Sequence, residues 1–435
     1  MIQQLKNSKI YLSVYFLIFI LPFLPLVREI FPVGFGEEYT LVGFVKEMIV
    51  LFFATMTLAY LSEKGREMRI NGAAGVLVIF FFYGFSHLFL TSAIPSNALN
   101  NFRLVYLNVA LASLIILLFL NSGFSPDCRK IVRLIFYSAL VVAAFGLYEK
   151  FINPDIIGLY KLSYPTVVKN LGIPGFPKVR IAATMANPIK LGLFLVVASI
   201  CCIYLIETAS RRIFSFLFFF SLLVFGFVLI FTLSRTAYGS FFIVLCMYII
   251  FKMSDKDRPL KKVLLSLFLF SIIGLLTWVA ASKEGTILLR LAQTMDTETF
   301  MADPRHEKWG LIIKDLSENL ISLLWGFGLG NSGTSGLSGN YIIVENSFLS
   351  ILVELGLFGI CFYLYVIARY SFNAGRLLKS QRKEKKNLGR LLFMYLAVFL
   401  FSSFFVDSYL NHPFSVYFWL LFAVSETEAL KNNAV

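Results

Sequence analysis

Twelve long, mostly apolar runs divide the chain, at about 10–27, 40–61, 72–91, 103–121, 131–150, 185–206, 213–233, 236–252, 263–282, 346–369, 391–409 and 414–430. Each is close to the roughly 20 residues that a helix needs to cross the hydrocarbon core of a bilayer. The pattern predicts an all-α integral membrane protein of about twelve transmembrane helices, with residues 1–435 forming a single polytopic domain. The first run, Ile10 to Val27, lacks a small-residue cleavage site and reads as a span rather than a signal peptide.

The polar segments between the runs are mostly short, with two exceptions at 151–184 and 283–345. Loops above about 15 residues are uncommon unless they are functional or disordered. The second carries Trp309, Leu311, Ile312, Ile313, Leu316, Leu320, Leu323 and Leu324 at roughly helical spacing, which predicts amphipathic helices lying on the membrane surface. A channel has little use for such a loop. An enzyme working at the surface does.

Composition agrees with an apolar solvent. Apolar residues make up 58% and charged residues only 15%, against about 45–50% and 25% in soluble domains. The net charge of +14 would suit nucleic acid if it formed a patch, but it does not, and no nucleic-acid partner is expected. The basic residues fall instead into short clusters between the runs. With the N-terminus in the cytoplasm, the inner segments collect Lys6 and Lys9; Lys64, Arg66 and Arg69; Arg129, Lys130 and Arg133; Arg211 and Arg212; and Lys252, Lys256, Arg258, Lys261 and Lys262. The largest cluster, Arg369 through Arg390, includes a basic cytoplasmic loop at 370–390, and Lys431 closes the tail. This is the positive-inside pattern. It puts both termini in the cytoplasm and both long loops outside.

Ionisable groups at the edge of a span are expensive unless paired or hydrated, which makes them functional candidates. Four stand out on the outer side: Arg180 before Asn187-Pro188, Arg235 in the tight turn Thr232-Leu233-Ser234-Arg235-Thr236, Arg305 in the large loop, and Glu345 before Asn346-Ser347. Lys190 sits one turn inside its run. Blander roles exist for each. Arg180 and Arg235 can snorkel to head groups, Glu345 can simply favour a helix N-terminus, and Arg305 can pair with Asp303 or Glu307. Their gathering on one face argues for more. Arginine is the preferred bidentate partner of phosphate oxygens, and a carboxylate beside such a cluster can accept a proton from a hydroxyl. The five cysteines have neither disulfide nor metal-site placement.

Four stretches make the chain resemble the O-antigen ligase and O-antigen polymerase superfamily of bacterial inner-membrane glycosyltransferases. They are RIAATMANPIKLGL from Arg180, LSRTAYG from Leu233, the passage from Arg305 to Asn331 with Trp309 and Gly326, Gly328 and Gly330, and ENSFLSILVELGLFG from Glu345. In the last, Asn346, Leu349, Leu352, Glu354, Gly356 and Gly359 fall on the family pattern. Ligases of the family carry His before the Asn, where this chain has Glu345, and the difference leans the reading toward a polymerase.

The resemblance implies a fold similar to that of GT-C glycosyltransferases and an active site facing the periplasm. The expected donor is an undecaprenyl-diphosphate-linked oligosaccharide, and the expected acceptor is the non-reducing end of another lipid-linked repeat unit. A ligase would instead use the lipid A core. Glu345 is expected to be the general base, with Arg180 and Arg235 neutralising the leaving diphosphate. Arg305, Lys190, Asn346, Trp309 and Tyr341 are expected to bind substrate. No metal or other cofactor is expected, since diphosphate is a competent leaving group beside basic side chains. Membrane lipids, a chain-length regulator and a flippase of the same pathway are the expected partners. Two rivals remain. A lipid-linked sugar transporter predicts internal repeats, which the sequence lacks. A non-enzymatic scaffold gives no reason for Arg and Glu to converge.

Overall fold

The computed structural model describes residues 2–30, 44–63, 69–91, 95–154, 156, 180–253, 304–332 and 344–433. The described elements are helical, with no strand among them. The helices are α1 (Ile2–Ile20), α2 (Leu24–Ile30), α3 (Val45–Glu63), α4 (Gly72–Leu90), α5 (Pro95–Ser122), α6 (Cys128–Phe151) and α7 (Pro188–Thr208). Next come α8 (Arg212–Ile230), α9 (Arg235–Met253), α10 (Pro304–Glu318), α11 (Leu320–Trp325), α12 (Ser347–Leu378), α13 (Lys383–Ser403) and α14 (Phe414–Asn433).

Among the described residues, 9 helical stretches are long and apolar enough to span a membrane, the first running from Tyr11 to Arg28 through α1 and α2. Beyond these, α13 and α14 have 21 and 20 residues and coincide with the last two predicted runs, but charged ends such as Lys383-Glu384-Lys385-Lys386 dilute them. The predicted run 263–282 and most of the 151–184 loop lie outside the described residues.

Helix ends depart from the apolar runs for physical reasons. Pro95 starts α5 eight residues ahead of the predicted run, because a first-turn proline lacks only an N–H that would go unbonded anyway. The segment 370–390, read as a loop, is largely helical: α12 continues to Leu378 and α13 begins at Lys383. Lys and Arg are good helix formers, so the helices outrun the hydrophobic segment. The stretch in which amphipathic helices are expected is helical, as α10 and α11.

At the centre stands α7, with 83% of its span buried, against at most 61% in the other spans among the described residues. It packs against α6, α8, α9, α13 and α14. Small residues permit the close approach that holds membrane helices together; Gly192 lies against Ala237 on α9.

A break in α12 positions the rest. Gly356 leaves helical geometry at φ 62° and ψ −163°. In a membrane every backbone group freed by such a break needs a new partner. The carbonyl of Val353 accepts from Phe327 N at 2.7 Å, that of Glu354 from Gly328 N at 3.1 Å, and that of Leu355 from the Tyr83 hydroxyl at 2.8 Å. The Gly326–Gly330 passage is therefore the dock for the break. Gly326 and Gly330 have φ of 76° and 86°, and a Cβ on either would meet backbone atoms within 2.7 Å.

Candidate functional site

Two arginines meet first. The carboxylate of Glu149, near the end of α6, accepts from Ala182 N at 3.2 Å and Ala183 N at 2.6 Å, fixing the segment that leads into α7. Thr184 ties the same segment to Pro22 by donating to its carbonyl at 2.8 Å. Ile181 N donates to Phe231 O at 3.1 Å and Arg180 Nε to Thr232 O at 2.8 Å. The Arg180 side chain thus lies on the α8–α9 turn, and Arg235 opens α9 three residues beyond Thr232. Both are partly exposed. Asn187, from the Asn-Pro motif, caps α7 by accepting from Ile189 N at 2.8 Å.

Lys190 does not join them. Gly192 faces the α8–α9 turn, through Thr232, Ser234 and Ala237. Two residues are about 200° of helical rotation, so Lys190 projects from the other side of α7, toward Arg28 and His412.

The carboxylate side is built on the return of the chain into α12. Trp309 Nε1 donates to Val344 O at 2.7 Å, so this predicted sugar reader anchors the backbone beside Glu345. Asn346 is a helix cap: Oδ1 accepts from Phe348 N at 3.0 Å and Leu349 N at 3.1 Å, while Nδ2 donates to Phe404 O at 3.3 Å. Ser347 bonds Val406 O at 3.0 Å, and Ser350 donates to Asp407 Oδ1 at 2.6 Å. Burial, reinforced by the negative charges of Glu354 and Glu345, pushes the Asp407 carboxyl up to about 7 against the pull of the Ser350 hydrogen bond.

The last turn of α13 joins the two halves. Gly239, one turn after Arg235, leaves room for the ring of Phe401, and three residues on, Phe404 receives Asn346. The arginine turn and Glu345 therefore flank the same helix end. The side chain of Arg305 and all of Tyr341 lie outside the described residues.

Sequence reasoning overlooked the best-held carboxylate. Glu354, 1% exposed, accepts from Asn101 Nδ2 at 2.6 Å, Ser332 Oγ at 2.6 Å, Gly330 N at 3.1 Å and the Tyr409 hydroxyl at 3.2 Å. It binds four segments together directly behind the Gly356 break. Its place in the motif of α12 was the only signal, and the motif does not name its partners. Glu149 and Asp407 also carry charge near the ends of predicted runs, but neither is among the candidates.

Backbone strain gathers here too. Among the described residues, the non-glycine positions with positive φ are Ala183, Ala186, Leu233 and Glu345, at 47°, 55°, 48° and 46°. Each costs of order 1–3 kcal/mol, and such positions cluster at functional sites. Here three lie close in sequence to Arg180 or Arg235, and the fourth is Glu345 itself.

Residues 219–364 match the family model of the O-antigen ligases. The match covers about a third of the chain and holds Arg235, Trp309, the Gly326–Gly330 passage, Glu345 and the α12 break, while Arg180 precedes it. Members of the O-antigen ligase family are glycosyl-transferring enzymes, and the match is consistent with the wider ligase and polymerase superfamily that the motifs resemble. No curated protein matches the chain.

Proposed function

We propose that this protein is a polymerase of O-antigen or a related surface polysaccharide, working on the periplasmic face of the bacterial inner membrane. It transfers glycan from undecaprenyl diphosphate to the non-reducing end of another lipid-linked repeat unit. The acceptor oxygen attacks the anomeric carbon, the bond to the diphosphate oxygen breaks, and the configuration inverts. Glu345 takes the acceptor proton. Arg180 and Arg235 hold the charge that develops on the departing diphosphate, the contribution that is usually largest in such sites. The observation that supports this best is the arrangement around the end of α13, with two arginines on adjoining backbone segments to one side and Glu345 to the other.

The ligase reading is favoured by the description of the matching family. Glu345, in the position where ligases carry His, favours polymerisation. A deletion strain separates the two. Loss of a polymerase leaves a single repeat unit on the lipopolysaccharide core, whereas loss of a ligase leaves bare core and accumulated lipid-linked polymer. An unchanged ladder would sink both readings.

A further inference from the structure

Two basic side chains at this end of the bundle have no task in the reaction just proposed. Arg28 lies in α2, and its Nε is buried without a hydrogen-bond partner. Lys190, on the first turn of α7, is near enough to feel its positive charge, and no carboxylate acts on Lys190 among the described residues. Both side chains are partly exposed, so a ligand can reach them. Adjacent like charges in a largely apolar protein are costly until an anion joins them.

Their surroundings add positive field. His412 stands beside Lys46, Lys190 and Arg103, and burial together with those charges holds its imidazole well below the ordinary value, hence neutral at pH 7. Its Nε2 meets Leu104 O at 3.0 Å. Lys46 is occupied with Arg103 O at 2.7 Å, and Arg103 with Glu47 at 2.9 Å. Those groups are committed to holding α3 against α5, whereas the Arg28 Nε is not committed.

The position matters as much as the charge. The segment 180–187 reaches both sides of α7, touching the α8–α9 turn through Ile181 and Pro22 through Thr184. The two basic groups therefore share one end of the bundle, with a helix roughly 10 Å thick between them. We propose that Arg28 and Lys190 form a second anion site, which binds the diphosphate of a polyprenyl-linked acceptor across α7 from the donor's Arg180 and Arg235. The inference rests on the polymerase reading, in which both substrates bring a diphosphate to the same membrane face. Two such dianions in one site would repel each other. A guanidinium beside an ammonium supplies the fork and the point charge that phosphate oxygens take.

The test is a calorimetric titration of the full chain, in nanodiscs of neutral phosphatidylcholine, with sugar-free undecaprenyl diphosphate. The wild type should bind two equivalents. Arg28→Gln with Lys190→Gln should weaken one by at least about tenfold, the effect of losing a charge-assisted contact. Arg180→Gln with Arg235→Gln should weaken the other. The conservative pair Arg28→Lys with Lys190→Arg should retain both, which separates charge from misfolding. One wild-type equivalent that only the Arg180 and Arg235 variant removes would overturn the second site and leave the transfer reading standing. Failure of the wild type to bind at all would defeat that reading instead. If replacing the neutral lipid by phosphatidylglycerol abolishes the second equivalent, the pair is a headgroup site and the acceptor assignment falls.

Discussion

The two ends of the helix bundle handle charge differently. Away from the candidate site, opposite charges pair: Lys252 with Glu207 at 2.5 Å, Arg369 with Glu426 at 2.7 Å, and Arg129 with Glu384. At the site end, neutral dipoles hold the charges. Glu354 is held by an amide, two hydroxyls and a backbone N–H, Glu149 by two backbone N–H groups, Asp407 by a serine, and the Nε of Arg180 by a carbonyl. The Arg103–Glu47 pair, at 2.9 Å, is an exception at that end. An ion pair cancels the field that a substrate would feel. Neutral partners orient a carboxyl group without an opposing charge, so Glu354, Glu149 and Asp407 are held by dipoles at one end while ion pairs fasten the other.

Removing a charge at the site end should cost function before stability. Glu345→Gln should lower the rate of glycan transfer by about 10²–10⁴, the usual contribution of a positioned base, while thermal unfolding stays near wild type. A rate within a few-fold of wild type would remove Glu345 from the chemistry. Arg180→Ala and Arg235→Ala should each lower the rate by about 10²–10³, as the loss of a transition-state charge partner does. If purified enzyme shows instead only a raised KM, the arginines act in binding and not on the leaving group.

Glu354 sharpens the comparison, because it is at the site end but enclosed. Glu354→Ala strands the donors of Asn101, Ser332, Gly330 and Tyr409, and should destabilise the protein by about 3 kcal/mol. An unfolding titration in denaturing detergent measures this. A variant as stable as wild type would show that the enclosure does not hold the α12 break.

What the sequence revealed follows from how far apart the partners are. Spans are properties of contiguous residues, and the helices through α9, together with α12 to α14, lie on predicted runs. Asn187 and Asn346 sit just before helices, and their capping roles follow from local rules. Glu345 and Arg235 are candidates because charge at a span edge is conspicuous. Glu354 was passed over because its partners Asn101 and Tyr409 are 253 and 55 residues away, a pairing that no local pattern encodes. Lys190 is a candidate because it is a basic residue one turn inside its run, yet the helix turns it to a different side from Gly192, which faces the α8–α9 turn.

A smaller effect tests Asp407. Its carboxyl is raised to about 7 in the folded protein, from an ordinary value of about 3.8. The folded state therefore binds a proton more tightly than the unfolded one, so the associated stability is present below about pH 4 and is lost as the pH rises through about 7. Asp407→Asn should flatten the pH dependence of unfolding in that window and leave the variant more stable than wild type at pH 8. An unchanged slope would mean that burial does not raise the titration of this group.

The smallest effect belongs to the fastened end. Arg129 and Glu384 join α6 to α13, but their side chains are 45% and 73% exposed, where solvent screens an ion pair. Glu384→Gln should therefore cost only about 0.2–1 kcal/mol and leave the transfer rate unchanged. The comparison between the ends depends on this insensitivity. If Glu384→Gln lowered the rate as Glu345→Gln is expected to, pairing at one end would be coupled to chemistry at the other, and the ends could no longer be treated as separate systems.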